Sequence, residues 1–329
     1  MTGESYLNEQ LKSISGRLNV NDISELNRFP RFFEIGTFTG CRGDCVYCPN
    51  EEWTTAKMSD ELFSKIASEI GEYSDWVEWV CLSRDGEPLS DIKIEDRVKE
   101  LKDNGVKYVT FSTHAQYLTE NRARRLIEAG LDEIRFSIDG SSKETYEAIR
   151  TGLDFDKVTE NVRAFLKLRK EIGYRDDKGD LKPKVHIRAV MMDSNRHEEE
   201  EWNAYWSARV TDSDIVSSKP PHSWGNQMDS LVKSESFEEY ALSPCVSLFG
   251  TMIIHPDGKV PLCGIDYNTN IELGDMNKSS IKEIWNSEPY EKVRRLHSTG
   301  KRNDIDMCKG CNIWEDVKHF YTIEEDGAI

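Results

Sequence analysis

Between about residue 31 and residue 217, short runs rich in β-branched and aromatic residues alternate with amphipathic stretches long enough to be helices. That order leaves few folds open, because strand, helix and strand in succession is the sequence form of the parallel βαβ unit. The runs RFFEIGTF, DWVEWVCLS, VKYVTFST, EIRFSI, VHIRAVMM and DIVSS predict six strands. Helices are predicted at ELFSKIASEIGEY, IEDRVKELKDN, TENRARRLIEAG, FDKVTENVRAFLKLRKEIG and HEEEEWNAYWSARV. Gly105 and Gly130 stand just past two of these, where a left-handed C-cap is wanted. Six βα units fall short of the eight that close a barrel. The predicted fold class is therefore α/β, a partial (β/α)6 barrel over residues 31–218, preceded by a helical extension at 1–30.

After Ser217 the alternation stops, and residues 219–243 read as a linker lining the active site. Residues 244–329 read as a second, smaller domain: FGTMIIHPDGKVPLC predicts a β-hairpin on Asp257-Gly258, and SIKEIWNSEPYEKVRRLH predicts one helix. A chain of 329 residues is long enough for one large unit and one small one. The polar, turn-rich Gly173–Lys184 segment is expected to be an exposed loop.

Charge narrows the partners. With 43 Lys and Arg against 60 Asp and Glu, the net charge of −17 counts against a nucleic-acid surface. No apolar run is long enough to span a bilayer, and MTGESYLNEQ lacks the basic and apolar regions of a signal peptide. The expectation is a soluble cytoplasmic protein. In that reducing setting, cysteines at short spacings point to metal rather than disulfides, and seven of the eight here are so grouped.

Cys41, Cys45 and Cys48 form CRGDCVYC, a C-x3-C-x2-C loop directly after the first predicted strand. Thiolates suit iron-sulfur clusters, and three ligands leave one iron of a cubane open. Structural zinc, the alternative, usually takes C-x2-C knuckles and four protein ligands. With aromatic Tyr47 before its third cysteine, the loop resembles that of the radical S-adenosylmethionine (SAM) superfamily. The resemblance implies that SAM chelates the open iron of a [4Fe-4S] cluster and is cleaved to a 5′-deoxyadenosyl radical. It also implies SAM contacts from Tyr47 (adenine), Gly86 and Glu87 (amino group), Ser137 and Asp139 (ribose and methionine), with Asn195 and Arg188 as further candidates for SAM or substrate. Asp85 stands where the family's Gly-Gly-Glu-Pro segment has a glycine. Alone, each of these sites also reads as an ordinary turn or cap. Their placement at successive strand ends, where such folds gather ligands, is what singles them out.

Cys245, Cys263, Cys308 and Cys311 supply four further thiols, enough for a tetrahedral zinc or a fully ligated cluster. Spacing does not separate the two. Hairpin, helix and terminal CKGC resemble the shortened SPASM module, or twitch domain, which implies a second [4Fe-4S] cluster suited to passing electrons. The nearest resemblance is to aminoglycoside-pathway dehydrogenases and epimerases, which take a hydrogen atom from a carbinol carbon of a polyhydroxylated small molecule. Dehydrogenation needs a base or hydroxyl-orienting group, and Arg188, His222 and then His186 are the candidates. Epimerisation needs a hydrogen donor, and Cys81 is the remaining thiol; by strand alternation it shares a face with Ser83 and lies below the rim. Trp224, Asn226 and Gln227 of the linker would suit a hydroxylated ring. Peptide modification and a non-catalytic zinc scaffold are the other readings. The resemblance implies a flavodoxin or ferredoxin as electron donor.

Overall fold

The computed structural model of the protein describes residues 3–50, 53, 55–222, 224, 227, 242–309 and 311. The six predicted runs form strands: β1 (Phe32–Ile35), β2 (Trp79–Cys81), β3 (Val109–Thr113), β4 (Glu133–Ser137), β5 (Lys184–Val190) and β6 (Ile215–Lys219). A seventh, β7 (Thr251–Ile254), pairs with β1. The order is β6-β5-β4-β3-β2-β1-β7, all neighbours parallel, and the sheet stays open at β6 and β7.

β7 corrects the predicted hairpin. The Asp257-Gly258 turn does form, with Gly258 at φ 89° and the His255 amide donating to the Lys259 carbonyl at 2.9 Å. Yet the incoming strand joins the main sheet, and the outgoing β8 (Lys259–Pro261) pairs antiparallel with β9 (Glu272–Asp275). All four residues of β7 are buried, as befits a parallel strand covered on both faces and not a half-solvated hairpin arm.

Helices return the chain between strands: α1 (Gly3–Arg17), α2 (Asp60–Gly71), α3 (Ile94–Asp103), α4 (Glu120–Glu128), α5 (Lys143–Ile149), α6 (Phe155–Ile172) and α7 (Glu199–Ser207). Ser59, Thr119, Ser142 and Asp154 cap four of them, each accepting from the backbone amide three residues on. Gly105 and Gly130, at φ 81° and 87°, end α3 and α4 as predicted. α5 was not predicted, because seven residues are too few to show a helical period. The single C-terminal helix predicted is instead two, α8 (Ile281–Trp285) and α9 (Glu288–Ser298). Pro289 lacks an amide and would clash in a continuous helix, but it fits the first turn of a new one begun at Ser287.

Strand alternation splits the barrel wall chemically. Phe33, Ile35, Val80, Phe111, Phe136 and Ile187 are fully buried and belong to the same apolar core as the helix residues Phe63, Ile66, Val98, Leu126, Val162 and Phe165. The opposite, concave face carries Glu34, Cys81, Ser112, Arg135 and Arg188, and it is this polar wall that makes the site.

Candidate functional site

The loop bearing Cys41, Cys45 and Cys48 is fastened at both ends. At its start Gly40 pairs with the turn after β2: the Gly40 amide donates to the Asp85 carbonyl at 3.3 Å and the Glu87 amide to the Gly40 carbonyl at 3.0 Å. Gly86 allows this approach, since a Cβ there would lie 2.4 Å from the Phe38 carbonyl oxygen and 2.9 Å from the Gly40 nitrogen. Further along, Asp44–Cys45 pairs antiparallel with Arg150–Thr151. Arg150, 7% exposed, then reaches three ways: Nε lies 2.7 Å from Asp139 Oδ2, one Nη donates to Tyr47 Oη at 2.6 Å, and the other faces Cys45 Sγ at 3.7 Å. No sequence signal marks Arg150, because the contact joins segments about a hundred residues apart.

Several of the residues expected to contact SAM also bond within the protein. Asp139 is fully buried, with one oxygen taken by the Tyr47 hydroxyl at 2.6 Å and Arg150, and the other by the Val190 amide at 2.8 Å. Asn195, equally buried, donates to the Asp139 and Val190 carbonyls and accepts from the Met192 amide, and so shapes the β5 rim. Glu87, 2% exposed, accepts from the Leu89 and His114 amides at 3.0 Å and from Thr113 Oγ1 at 2.5 Å. Its carboxylate holds the turn. Tyr47 has its hydroxyl committed to Asp139 and Arg150, and its carbonyl accepts from Trp224 Nε1 at 2.9 Å. Ser137 stands half-buried at the end of β4, in register with Arg188. Asp85 adopts φ 49°, the conformation its glycine counterpart would favour, and faces His255 Nε2 at 3.2 Å.

A cavity of about 310 Å³ opens on the concave face. Cys81, Arg188 and His222 converge on it, together with Cys245, Cys263, Cys308 and Cys311. Cys81 and Ser83 share this wall as alternation predicts, but Arg84 lines it too, because strand pairing ends at Cys81 and frees the next residues from alternation. Cys81 was expected to lie too deep; it is 5% exposed and on the cavity wall. Burial pushes its thiol up to about 11, so it is a neutral S–H near pH 7. Arg188 Nη2 donates to Ser112 Oγ at 2.7 Å. His186 is tied to Ser217 Oγ at 2.7 Å. His222 Nδ1 accepts from the Trp224 amide at 3.2 Å, and burial beside Lys219 and Arg84 pushes its pKa down to about 3. The ring is therefore neutral with its proton on Nε2, which suits the hydroxyl-orienting role of the two expected for it. Gln227 Nε2 donates to the Ile265 carbonyl at 2.8 Å; Asn226 lies outside the described residues. Glu34 on β1, missed in the sequence, is the carboxylate on this wall and is paired to Arg84. An acidic residue inside the apolar run RFFEI was its signal.

Main-chain contacts gather the four later cysteines. Arg302, 3% exposed, donates to the carbonyls of Ser243, Cys308 and Cys311 at 2.9–3.0 Å, and the Cys245 amide donates to His297 Nδ1 at 3.1 Å. Desolvation raises the thiols of both groups, Cys41 to about 12 and Cys45, Cys48, Cys245, Cys263 and Cys308 also upward. Buried thiols of this kind become thiolates when a cation compensates them, which iron does. Among the described residues no three His, Cys, Asp or Glu side chains converge as a single small ion requires. Both groups offer thiols, the soft donors that suit iron-sulfur clusters.

Comparison with known proteins agrees. The Radical SAM superfamily pattern matches residues 35–175, and that of an iron-sulfur cluster-binding domain, SPASM, matches 245–312. A tungsten-containing aldehyde ferredoxin oxidoreductase cofactor-modifying protein of Pyrococcus furiosus is 25% identical over 78% of this chain and 69% of its own length. The S-adenosyl-L-methionine-dependent 2-deoxy-scyllo-inosamine dehydrogenase of Niallia circulans is 20% identical over 85% of this chain and 91% of its own. The crystal structure of BtrN in complex with AdoMet and 2-DOIA aligns with a TM-score of 0.58 at 16% identity, over 86% of this chain and 92% of that one, a likeness of fold. No helix among the described residues is long and apolar enough to cross a membrane.

Proposed function

The chain belongs to the radical SAM superfamily and carries a SPASM-type iron-sulfur domain, and from that premise we propose that it oxidises a carbinol carbon of a sugar-like or aminocyclitol-like molecule to a ketone. Cys41, Cys45 and Cys48 are the proposed ligands of the SAM-cleaving [4Fe-4S] cluster, and Cys245, Cys263, Cys308 and Cys311 those of the auxiliary one. Bound there, the first cluster would supply reductive SAM cleavage to an adenosyl radical that could take the carbinol hydrogen, and the auxiliary one would supply an acceptor for the electron left on the substrate. The observation that carries the reading is that the second cysteine set opens on the same cavity as Arg188, His222 and Glu34.

The chain's own residues have distinct work in this scheme. His222, neutral with its Nδ1 occupied, presents Nε2–H and orients the substrate hydroxyl. Glu34 is the proposed proton acceptor, held beside the cationic Arg84. Arg150, Asp139 and Tyr47 hold the cysteine loop against the barrel rim, so the site's geometry is set before substrate arrives.

The test uses reconstituted enzyme, SAM, a reductant and a polyol panel deuterated at the carbinol carbon. The expected outcome is deuterium in 5′-deoxyadenosine and a ketone product. Cys81 on the cavity wall favours a second reading, epimerisation, in which this neutral thiol returns a hydrogen to the opposite face. An inverted alcohol bearing solvent hydrogen, abolished in Cys81→Ala, would establish that reading and remove the first.

A further inference from the structure

The surface of this protein is acidic overall, yet its central cavity is not. Arg84, Arg135, Arg188, Lys219 and Arg302 line it, against the carboxylate of Glu34. Most of these cations have evident duties within the protein. Arg84 is paired to Glu34, and Arg135 donates to both oxygens of Glu133 at 2.9 and 3.0 Å. Arg302 binds main-chain carbonyls around the later cysteines.

Arg188 differs. Its side-chain hydrogen bond goes to a neutral group, Ser112 Oγ, and among the described residues no carboxylate stands within ion-pair distance of its guanidinium. Other cations act on the cysteine sets: Arg150 on Cys41, Cys45 and Cys48, and Arg302 and Arg17 on Cys245. A half-buried guanidinium on a cavity wall, with no carboxylate at ion-pair distance, is placed to take an anion from outside. Its planar fork of donors matches a carboxylate or a phosphate. Burial and the nearby Arg135 depress its pKa to about 10, against the more distant Glu133, which leaves it cationic near pH 7.

We infer that the substrate of this cavity carries an oxyanion, a carboxylate or a phosphate, which docks on Arg188 beside the carbinol to be oxidised. The inference rests on the oxidation reading for its site and adds the charge of the molecule that enters. The aminocyclitol named for the Niallia circulans relative bears an amine, so this chain would differ from it in substrate charge.

Calorimetric binding to the reconstituted, cluster-loaded protein tests this with matched probes, gluconate against sorbitol and glucose 6-phosphate against glucose, plus inorganic phosphate. At least one anion should bind about tenfold or more tightly than its neutral counterpart, a preference lost in Arg188→Gln and partly kept in Arg188→Lys. SAM affinity, measured separately by equilibrium binding, should stay within about twofold. Gluconate and glucose 6-phosphate tell carboxylate from phosphate. Should Arg188→Gln not fold, Ser112→Ala, which only loosens the guanidinium, should weaken the preferred anion by about threefold. Equal affinity for charged and neutral probes overturns the inference, as does failure of every anion to bind below about 10 mM. So does an Arg188→Gln protein that loses SAM but keeps gluconate, which would assign the guanidinium to the SAM carboxylate. Ketone formation from a neutral polyol without anion preference would sink this inference and spare the oxidation reading; anion preference without any ketone would do the reverse.

Discussion

The two cysteine sites are built by opposite routes. Cys41, Cys45 and Cys48 fall within one short loop, and the fold needs only to dock that loop, through Gly40 against the Gly86 turn and through Arg150 against Cys45 and Tyr47. Cys245, Cys263, Cys308 and Cys311 come from separate segments, brought together by β7 in the main sheet, by Arg302 and by His297. A site written in one stretch of chain is added to a fold, whereas a site assembled from many stretches is part of it. Losing ligands should therefore cost chemistry at the first and stability at the second.

The sharpest way to break that contrast is to remove one cysteine from each. Cys45→Ala should lower 5′-deoxyadenosine formation by more than about a thousandfold while the melting temperature moves only a few degrees. Cys308→Ala should retain SAM cleavage without ketone and melt much earlier, because metal binding at a site gathered from distant segments is coupled to folding. Chromatography of 5′-deoxyadenosine beside a thermal melt reads both, and equal destabilisation by the two would refute the contrast. Next in size, Gly86→Ala places a Cβ 2.4 Å from the Phe38 carbonyl; a loss of about a hundredfold in SAM cleavage is expected, with roughly 1–3 kcal/mol of stability in urea unfolding.

Arg302→Met probes the second site without touching a ligand. It strips donors from the Ser243, Cys308 and Cys311 carbonyls, at a cost of about 2–3 kcal/mol. Iron analysis should then show the auxiliary cluster depleted and the first retained. The smallest effect concerns His222, whose pKa burial holds near 3, against about 6.5 in the unfolded chain. The folded state refuses a proton that the unfolded state accepts below about 6.5, so the stability this neutral ring contributes is present above that pH and lost as pH falls toward 3. His222→Gln should flatten the decline of the urea midpoint between pH 6 and 4, by at most about 1.4 kcal/mol per pH unit. An unchanged decline would show that the ring takes up a proton in the folded state as readily as in the unfolded chain.

Much of the barrel was legible because its signal is local. Each of the six runs carries β-type residues, and Gly105 and Gly130 punctuate their helices at left-handed positions. The hairpin was misread for a related reason: TMII followed by an Asp-Gly turn has the local form of a hairpin arm, and nothing in that stretch records that β1 offers a free parallel edge. The SAM-side residues follow the same rule. Glu87, Asp139 and Asn195 stand out in the sequence as polar groups at strand ends, and the tertiary structure adds protein partners for each that no local pattern records. Arg150, which ties the cysteine loop to Asp139, stands just past the unpredicted helix Lys143–Ile149 and carries no periodic signal.

Residue types and their spacing by themselves determined the parallel α/β class, the two cysteine groups and the superfamily, since thiolate chemistry and strand periodicity are properties of short stretches of chain. Only the tertiary structure decided that Arg188, His222, Glu34 and the four later cysteines meet at one cavity, and which polar groups face it unpaired. Those are contacts between residues distant in sequence, and burial, which decides whether a side chain is spent on its neighbours or left for a ligand, exists only once the chain has closed around them.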